Sequence, residues 1–93
     1  MEQSTSQIQV TTRPKQNFIG LYETGLITRV VAIRTPYNRW RLFGLHRNGR
    51  AAIYVEKARG GIREWSGLNF LADFCYAAGI SLWEVHNKKG VAA

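Results

Sequence analysis

Asn48-Gly49, set between two runs of alternating character, is the feature that most restricts how this chain folds. A two-residue type I′ hairpin turn needs φ > 0 at both central positions, and Asn-Gly meets that need well. Read as such a loop, the turn sets the register of Arg39–Arg47 against Arg50–Ala58 by counting. Arg47 then faces Arg50, Leu45 faces Ala52, Phe43 faces Tyr54, Arg41 faces Glu56 and Arg39 faces Ala58, all on one side. The other side carries Trp40 opposite Lys57, Leu42 opposite Val55, Gly44 opposite Ile53 and His46 opposite Ala51. Trp40, Leu42, Ile53 and Val55 together make a floor on which a helix can pack.

The remaining elements follow from local pattern. Ile27–Thr35 is rich in β-branched residues and reads as a strand. Pro36, Tyr37 and Asn38 form the turn into Arg39–Arg47. Gly60-Gly61 ends the returning strand, and Ile62–Trp65 reads as a short further one. Leu68, Leu71, Ala72, Cys75 and Ala78 recur at helical spacing, with Phe70 and Phe74 beside them and Asn69, Asp73 and Tyr76 opposite. Ser66 is the expected N-cap and Gly79 the left-handed exit. Ile80–His86 reads as a last strand. Asn17–Leu26, with Phe18 before Gly20 and Leu21 and Tyr22 between Gly20 and Gly25, suits either a short strand or a turn of helix. The expected fold is α+β: an antiparallel three- to four-stranded sheet, one helix packed on one face, and a short C-terminal strand. Residues 1–16 are expected to be a flexible tail, 17–87 a single α+β domain, and 88–93 a C-terminal tail.

Composition narrows the function classes. Ninety-three residues allow one domain. The one cysteine, Cys75, excludes an internal disulfide framework and a cysteine-rich zinc site, and fits a reducing cytoplasm. No apolar run approaches the roughly 20 residues that span a bilayer, so no membrane association is expected. His46 and His86 are forty residues apart and show no metal-ligand spacing; neither metal nor cofactor is expected.

Nine of the thirteen basic residues fall between Arg29 and Arg63, against one carboxylate, Glu56, a local net charge of +8. The other 58 residues hold four cations and five carboxylates. Clustered charge destabilises a compact state unless a partner uses it, and a nucleic acid is the commonest such partner. The hairpin register gathers Arg39, Arg41, Arg47 and Arg50 around the Phe43–Tyr54 pair. Bases can stack on the rings while guanidinium groups hold phosphates, or the ribbon can enter a duplex major groove. Arg59 and Arg63, which flank Gly60-Gly61-Ile62, join the candidate binding residues. The plainer reading of this face is a solvated sheet surface with one stabilising aromatic pair and an Arg41–Glu56 ion pair of about 0–1 kcal/mol.

The segment RGGIREWSGL, Arg59–Leu68, with the helix and strand that follow, resembles small partition-associated accessory proteins of conjugative plasmids, of the ParC type. The resemblance covers about half of the chain and implies a mobile-element origin more than a mechanism. In architecture, strands followed by a packing helix are similar to the sheet-plus-helix domain of phage integrase arms. They are also similar to dimeric single-strand-binding domains built on a curved four-stranded sheet. These are fold analogies and do not establish function.

No enzyme is expected. Cys75 sits on the apolar stripe of its helix, where a buried thiol is inert. Small basic ribonuclease toxins would use His46 with Arg41 or Arg50, but such toxins usually place helices before their strands. The sequence therefore favours a small basic nucleic-acid-binding accessory protein of a mobile element, with DNA, single- or double-stranded, ahead of RNA. The alternative is a protein-interaction factor or inhibitor that docks on an acidic surface of a host complex. A homodimer is compatible with both.

Overall fold

The computed structural model describes residues 8–87. Its element order is β1 (Gln9–Arg13), α1 (Lys15–Glu23), β2 (Ile27–Arg34), β3 (Trp40–His46), β4 (Ala51–Val55), α2 (Leu68–Ala78) and β5 (Glu84–His86). The strands form one sheet in the order β1-β4-β3-β2-β5. β3 is antiparallel to both of its neighbours, while β1 runs parallel to β4 and β5 parallel to β2. The α+β class agrees with expectation. Among the described residues the sheet is mixed and five-stranded rather than antiparallel and three- or four-stranded, and there are two helices rather than one.

Two of these differences share a cause. β1 and the start of α1 occupy part of the stretch expected to be a tail; Met1–Gln7 and residues 88–93 lie outside the described residues. β1 reads QVTTR, mostly exposed, and its partner β4 is some forty residues away. A parallel edge strand of this kind leaves no turn signal and no apolar alternation for local reading to detect. α1 contains Gly20 and Ile19, poor helix formers, and no side chain caps it. Its support is tertiary. Phe18 is fully buried, and Leu21 and Tyr22, three and four residues on, pack against the same core.

Topology decides which face of the sheet is covered. β1-α1-β2 and β4-α2-β5 each link two parallel strands, and each crosses the sheet by three positions in the same direction. Right-handed crossovers of the same sense lay their helices on the same face. One cluster accordingly contains Phe18 from α1, Leu71, Phe74 and Cys75 from α2, and Val30, Ala32, Trp40, Leu42, Ile53 and Val55 from the strands. The predicted floor of Trp40, Leu42, Ile53 and Val55 belongs to this core, shared between the two helices: α2 approaches β3, and α1 approaches β4. α2 begins one residue later than Ser66 implied: Gly67 is the N-cap, in extended conformation and without a side-chain cap. Gly79 leaves α2 at φ 78°, as predicted. Only Glu84–His86 of the expected last strand pairs.

The hairpin keeps its predicted register by a different turn. Phe43 pairs with Tyr54, Gly44 with Ile53 and Leu45 with Ala52. Asn48 does not take a positive φ; of the two turn residues only Gly49 does, at 74°. The loop is Arg47–Arg50, closed by Gly49 N–H donating to the His46 carbonyl at 2.8 Å and Arg50 N–H donating to Asn48 Oδ1 at 2.7 Å. Lengthening the loop by one residue on each side leaves these three central pairings unchanged and takes Arg47 and Arg50 out of the ladder, so the different turn type does not shift the register. The chain reaches that loop between Gln9, which donates to the Arg50 carbonyl, and Leu26, which accepts from Arg47 N–H.

At the other end of the hairpin the register fails. β3 and β4 part, and Ile62–Trp65 enters between them as two isolated bridges, Trp40 with Trp65 and Glu56 with Ile62. Arg63 N–H donates to the Val55 carbonyl at 2.8 Å, and Trp40 and Trp65 exchange backbone hydrogen bonds at 2.8 and 2.9 Å. The expected pairs Arg41–Glu56, Arg39–Ala58 and Trp40–Lys57 therefore do not form. Two tryptophans, both buried, are worth more under α2 than continued pairing with the polar Glu56–Lys57 segment.

Gly44 marks the closest approach within the covered face. A β-carbon there would lie 2.6 Å from Ile27 Cγ2, and Ile27 is buried. Gly44→Ala should destabilise the fold by about 1–3 kcal/mol through overpacking. The cost should shrink when Ile27 is already Ala, a coupling that urea unfolding of the four-member mutant cycle measures.

Candidate nucleic-acid interface

With both helices on one side, the opposite face of the sheet is uncovered among the described residues. Its central row runs Thr12, Tyr54, Phe43, Val31 and Glu84 across all five strands. The adjoining rows are Val10, Ala52, Leu45 and Arg29 on one side, and Arg41, Ile33 and His86 on the other. The centre is apolar enough that Val31 and Ala52 are buried without any helix above them. Phe43 and Tyr54 are half-buried, with ring centroids 5.2 Å apart and planes inclined by 41°. Burial pushes the Tyr54 hydroxyl above its ordinary range, against the opposing influence of Arg41. The ring therefore stays neutral and offers a donor at physiological pH.

The predicted cations divide into four groups, the last of them Arg63 alone. Arg41 stands on the open face beside Phe43, and Arg39 just before it; both are committed to one carboxylate, Glu64. Glu64 Oε1 accepts from Arg39 Nε at 3.0 Å, and Glu64 Oε2 accepts from Arg41 Nε at 2.8 Å. The Arg41 hydrogen bond, ahead of the other influences, holds the Glu64 carboxyl below the usual carboxylate range. Arg47 and Arg50 are exposed at the loop end of the same face, and neither has a carboxylate partner among the described residues. Arg59 is exposed on the Lys57–Gly61 turn.

Arg63 does not belong with them. Its guanidinium lies 4.8 Å from the Trp65 ring centre and 5.3 Å from that of Phe74, on the helix side of the sheet. Both rings belong to the core, so Arg63 serves packing and cation–π attraction there. Alternation along Ile62–Trp65 explains the split: Trp65 and Arg63 point inward, so Glu64 points out to Arg39 and Arg41. Glu56, expected opposite Arg41, accepts instead from Thr12 Oγ1 at 3.2 Å.

Four residues of the face were not placed by local pattern. Arg29 and Glu84 form a two-point ion pair at 2.7 and 2.6 Å between β2 and β5. Lys57, assigned by counting to the helix side, lines a cleft with Arg39, Arg41 and Glu64 because β4 has already ended at Val55. Charge alternation in Ile62–Trp65 was the only available clue to Glu64.

The chemistry of the other candidates is constrained by place. Burial pushes the Cys75 thiol up to about 11, which keeps it protonated and unreactive. His46 lies on the helix side of β3, opposite in facing to Arg41, and its Nδ1 accepts from Asn48 N–H at 3.1 Å. The His46–Arg41 pair of the ribonuclease reading is therefore not assembled. Among the described residues no group of three His, Cys, Asp or Glu side chains is placed to hold a metal ion, and no helix is long and apolar enough to cross a membrane. Comparison with family models, curated proteins and solved structures finds no match to this chain.

The Arg29–Glu84 pair makes a prediction with a definite sign. Hydrogen bonding from Arg29, and then His86, lowers the Glu84 carboxyl from 4.5 to about 2. A carboxyl depressed on folding adds stability above its unfolded value and loses it as pH falls toward the folded one. The urea midpoint difference between the wild type and Glu84→Gln should therefore close as pH falls from 4.5 to about 2. The pair is exposed, so the difference should also narrow in high salt.

Proposed function

We propose that this protein binds single-stranded nucleic acid, DNA foremost, across the uncovered sheet face. The observation that carries the reading is the Phe43–Tyr54 pair at the centre of a helix-free face, with Arg41 beside it and Arg47 and Arg50 at its end. Successive bases stack on the rings, and the arginines hold the phosphates. The chain's net charge of +7 supplies long-range attraction.

Duplex binding by ribbon insertion is disfavoured by topology. β3 and β4 lie in the middle of the sheet, flanked by β2 and β1, and their loop is tied on both sides to Leu26 and Gln9. Five strands span about 19 Å at the usual strand spacing, whereas the major groove is about 12 Å wide. A broad, shallow face suits a strand whose bases are already unstacked. The resemblance of Arg59–Leu68 to plasmid partition accessory proteins supports a mobile-element setting for such binding.

A second reading draws on the ion pairs. Arg29, Arg39 and Arg41 already have carboxylate partners, which leaves the face less cationic and its apolar centre more prominent than the sequence suggests. Aromatic and arginine side chains around an apolar centre also make protein-interface hot spots. A partner captured from host lysate that survives nuclease treatment favours docking on a protein; one lost on treatment favours nucleic acid.

Binding to single-stranded oligonucleotides, measured across salt concentrations, tests the proposal. About four phosphate contacts give a log K against log salt slope near −3. Replacing Arg47 and Arg50 together with Ala should flatten the slope by about 1.4. Phe43→Ala and Tyr54→Ala should each weaken binding by about 1–3 kcal/mol with the slope unchanged. Salt-independent binding, or aromatic substitutions without effect, overturns the reading.

A further inference from the structure

The parting of β3 and β4 opens a cleft of about 550 Å³ at the end of the sheet remote from the hairpin loop, lined by Arg39, Arg41, Lys57, Gly61, Ile62 and Glu64. Three cations face one carboxylate there. Glu64 takes Nε of Arg39, and Nε and one terminal nitrogen of Arg41. A guanidinium has five N–H donors in a fixed fork, so most of those on Arg39 remain, and the second terminal nitrogen of Arg41 with them. Lys57 has no carboxylate partner among the described residues. Its backbone N–H donates to the Gly61 carbonyl, which closes the turn and anchors the lysine at the cleft wall. Gly61 keeps that wall open: a β-carbon there would come 3.3 Å from Lys57 Cε.

We propose that this cleft is a phosphate-binding subsite, in which Glu64 is the resident counter-ion that an incoming phosphate partly displaces. Glu64 holds the two guanidinium groups converged while the site is empty. A phosphate brings more charge and more acceptor atoms than one carboxylate, and it gains Lys57 as a third partner. The subsite deepens the nucleic-acid reading. Arg41 and Phe43 are two residues apart on one face, about 7 Å, so a strand with a base on Phe43–Tyr54 brings a neighbouring phosphate to the cleft. The cleft's affinity for the bare anion does not depend on that reading.

The test is an NMR titration of the isotope-labelled protein with inorganic phosphate, against chloride at matched ionic strength. Saturable shifts confined to the Arg39 and Arg41 side-chain Nε–H groups and the Gly61 amide are expected with phosphate and not with chloride. Lys57→Ala, which leaves the Glu64 pairs intact, should weaken the phosphate response about five-fold, and Glu64→Gln should strengthen it by a similar factor. Shifts that are absent, that chloride reproduces, or that Lys57→Ala leaves unchanged overturn the subsite, as does a Glu64→Gln variant that folds but binds phosphate more weakly. A single-stranded oligonucleotide in a parallel arm separates the two claims. Oligonucleotide binding without a phosphate response overturns the cleft alone; a phosphate response without oligonucleotide binding upholds the cleft and overturns the wider function.

Discussion

Packing of both helices against a single face of the sheet is the constraint on which the rest of this structure depends. β1-α1-β2 and β4-α2-β5 advance in the same direction between parallel strands, so one handedness sends α1 and α2 to the same side. Phe18, Leu71, Phe74 and Cys75 then share one core with Trp40, Leu42, Ile53 and Val55. The open face follows from that choice. It has no helix to bury it, and it shields Val31 and Ala52 with its own neighbours, chiefly the Phe43–Tyr54 row.

The second organising event is the entry of Ile62–Trp65 between β3 and β4. It places Trp65 beside Trp40 in the core, sets Arg63 over Trp65 and Phe74, and turns Glu64 outward. One segment thereby removes a cation from the candidate interface and adds a counter-ion to it. Arg39 and Arg41 are held converged by Glu64, whereas Arg47 and Arg50 at the loop end have no carboxylate partner among the described residues. The face thus has a bound and oriented cationic end and a free one, separated by its aromatic centre.

Part of the fold was legible because its determinants are local. Ile27–Arg34 and Leu68–Ala78 appear as strand and helix from β-branched content and from 3.6-residue spacing. The pairing of Phe43 with Tyr54 survived an incorrect turn type, because symmetric lengthening of a loop preserves register. β1 and α1 were not legible in the same way. β1 is a short polar edge strand paired across some forty residues, and α1 depends on Phe18 finding the core. Of the candidate binding residues, Arg39, Arg41, Phe43, Arg47, Arg50 and Tyr54 share or border one face, Arg59 lies apart on its turn, and Arg63 lies behind the sheet.

Alternation in the sequence alone determined that a hairpin around Asn48-Gly49 presents arginines and an aromatic pair on one side and a hydrophobic floor on the other. Only the tertiary structure decided that no described helix covers the arginine side, where that side is neutralised and where a cleft opens within it. Side-chain alternation is a property of the extended backbone, legible wherever the chain is a strand. Helix placement and the Arg39–Glu64–Arg41 and Arg29–Glu84 pairs depend on segments brought together from 23 to 55 residues apart, and no local period records them.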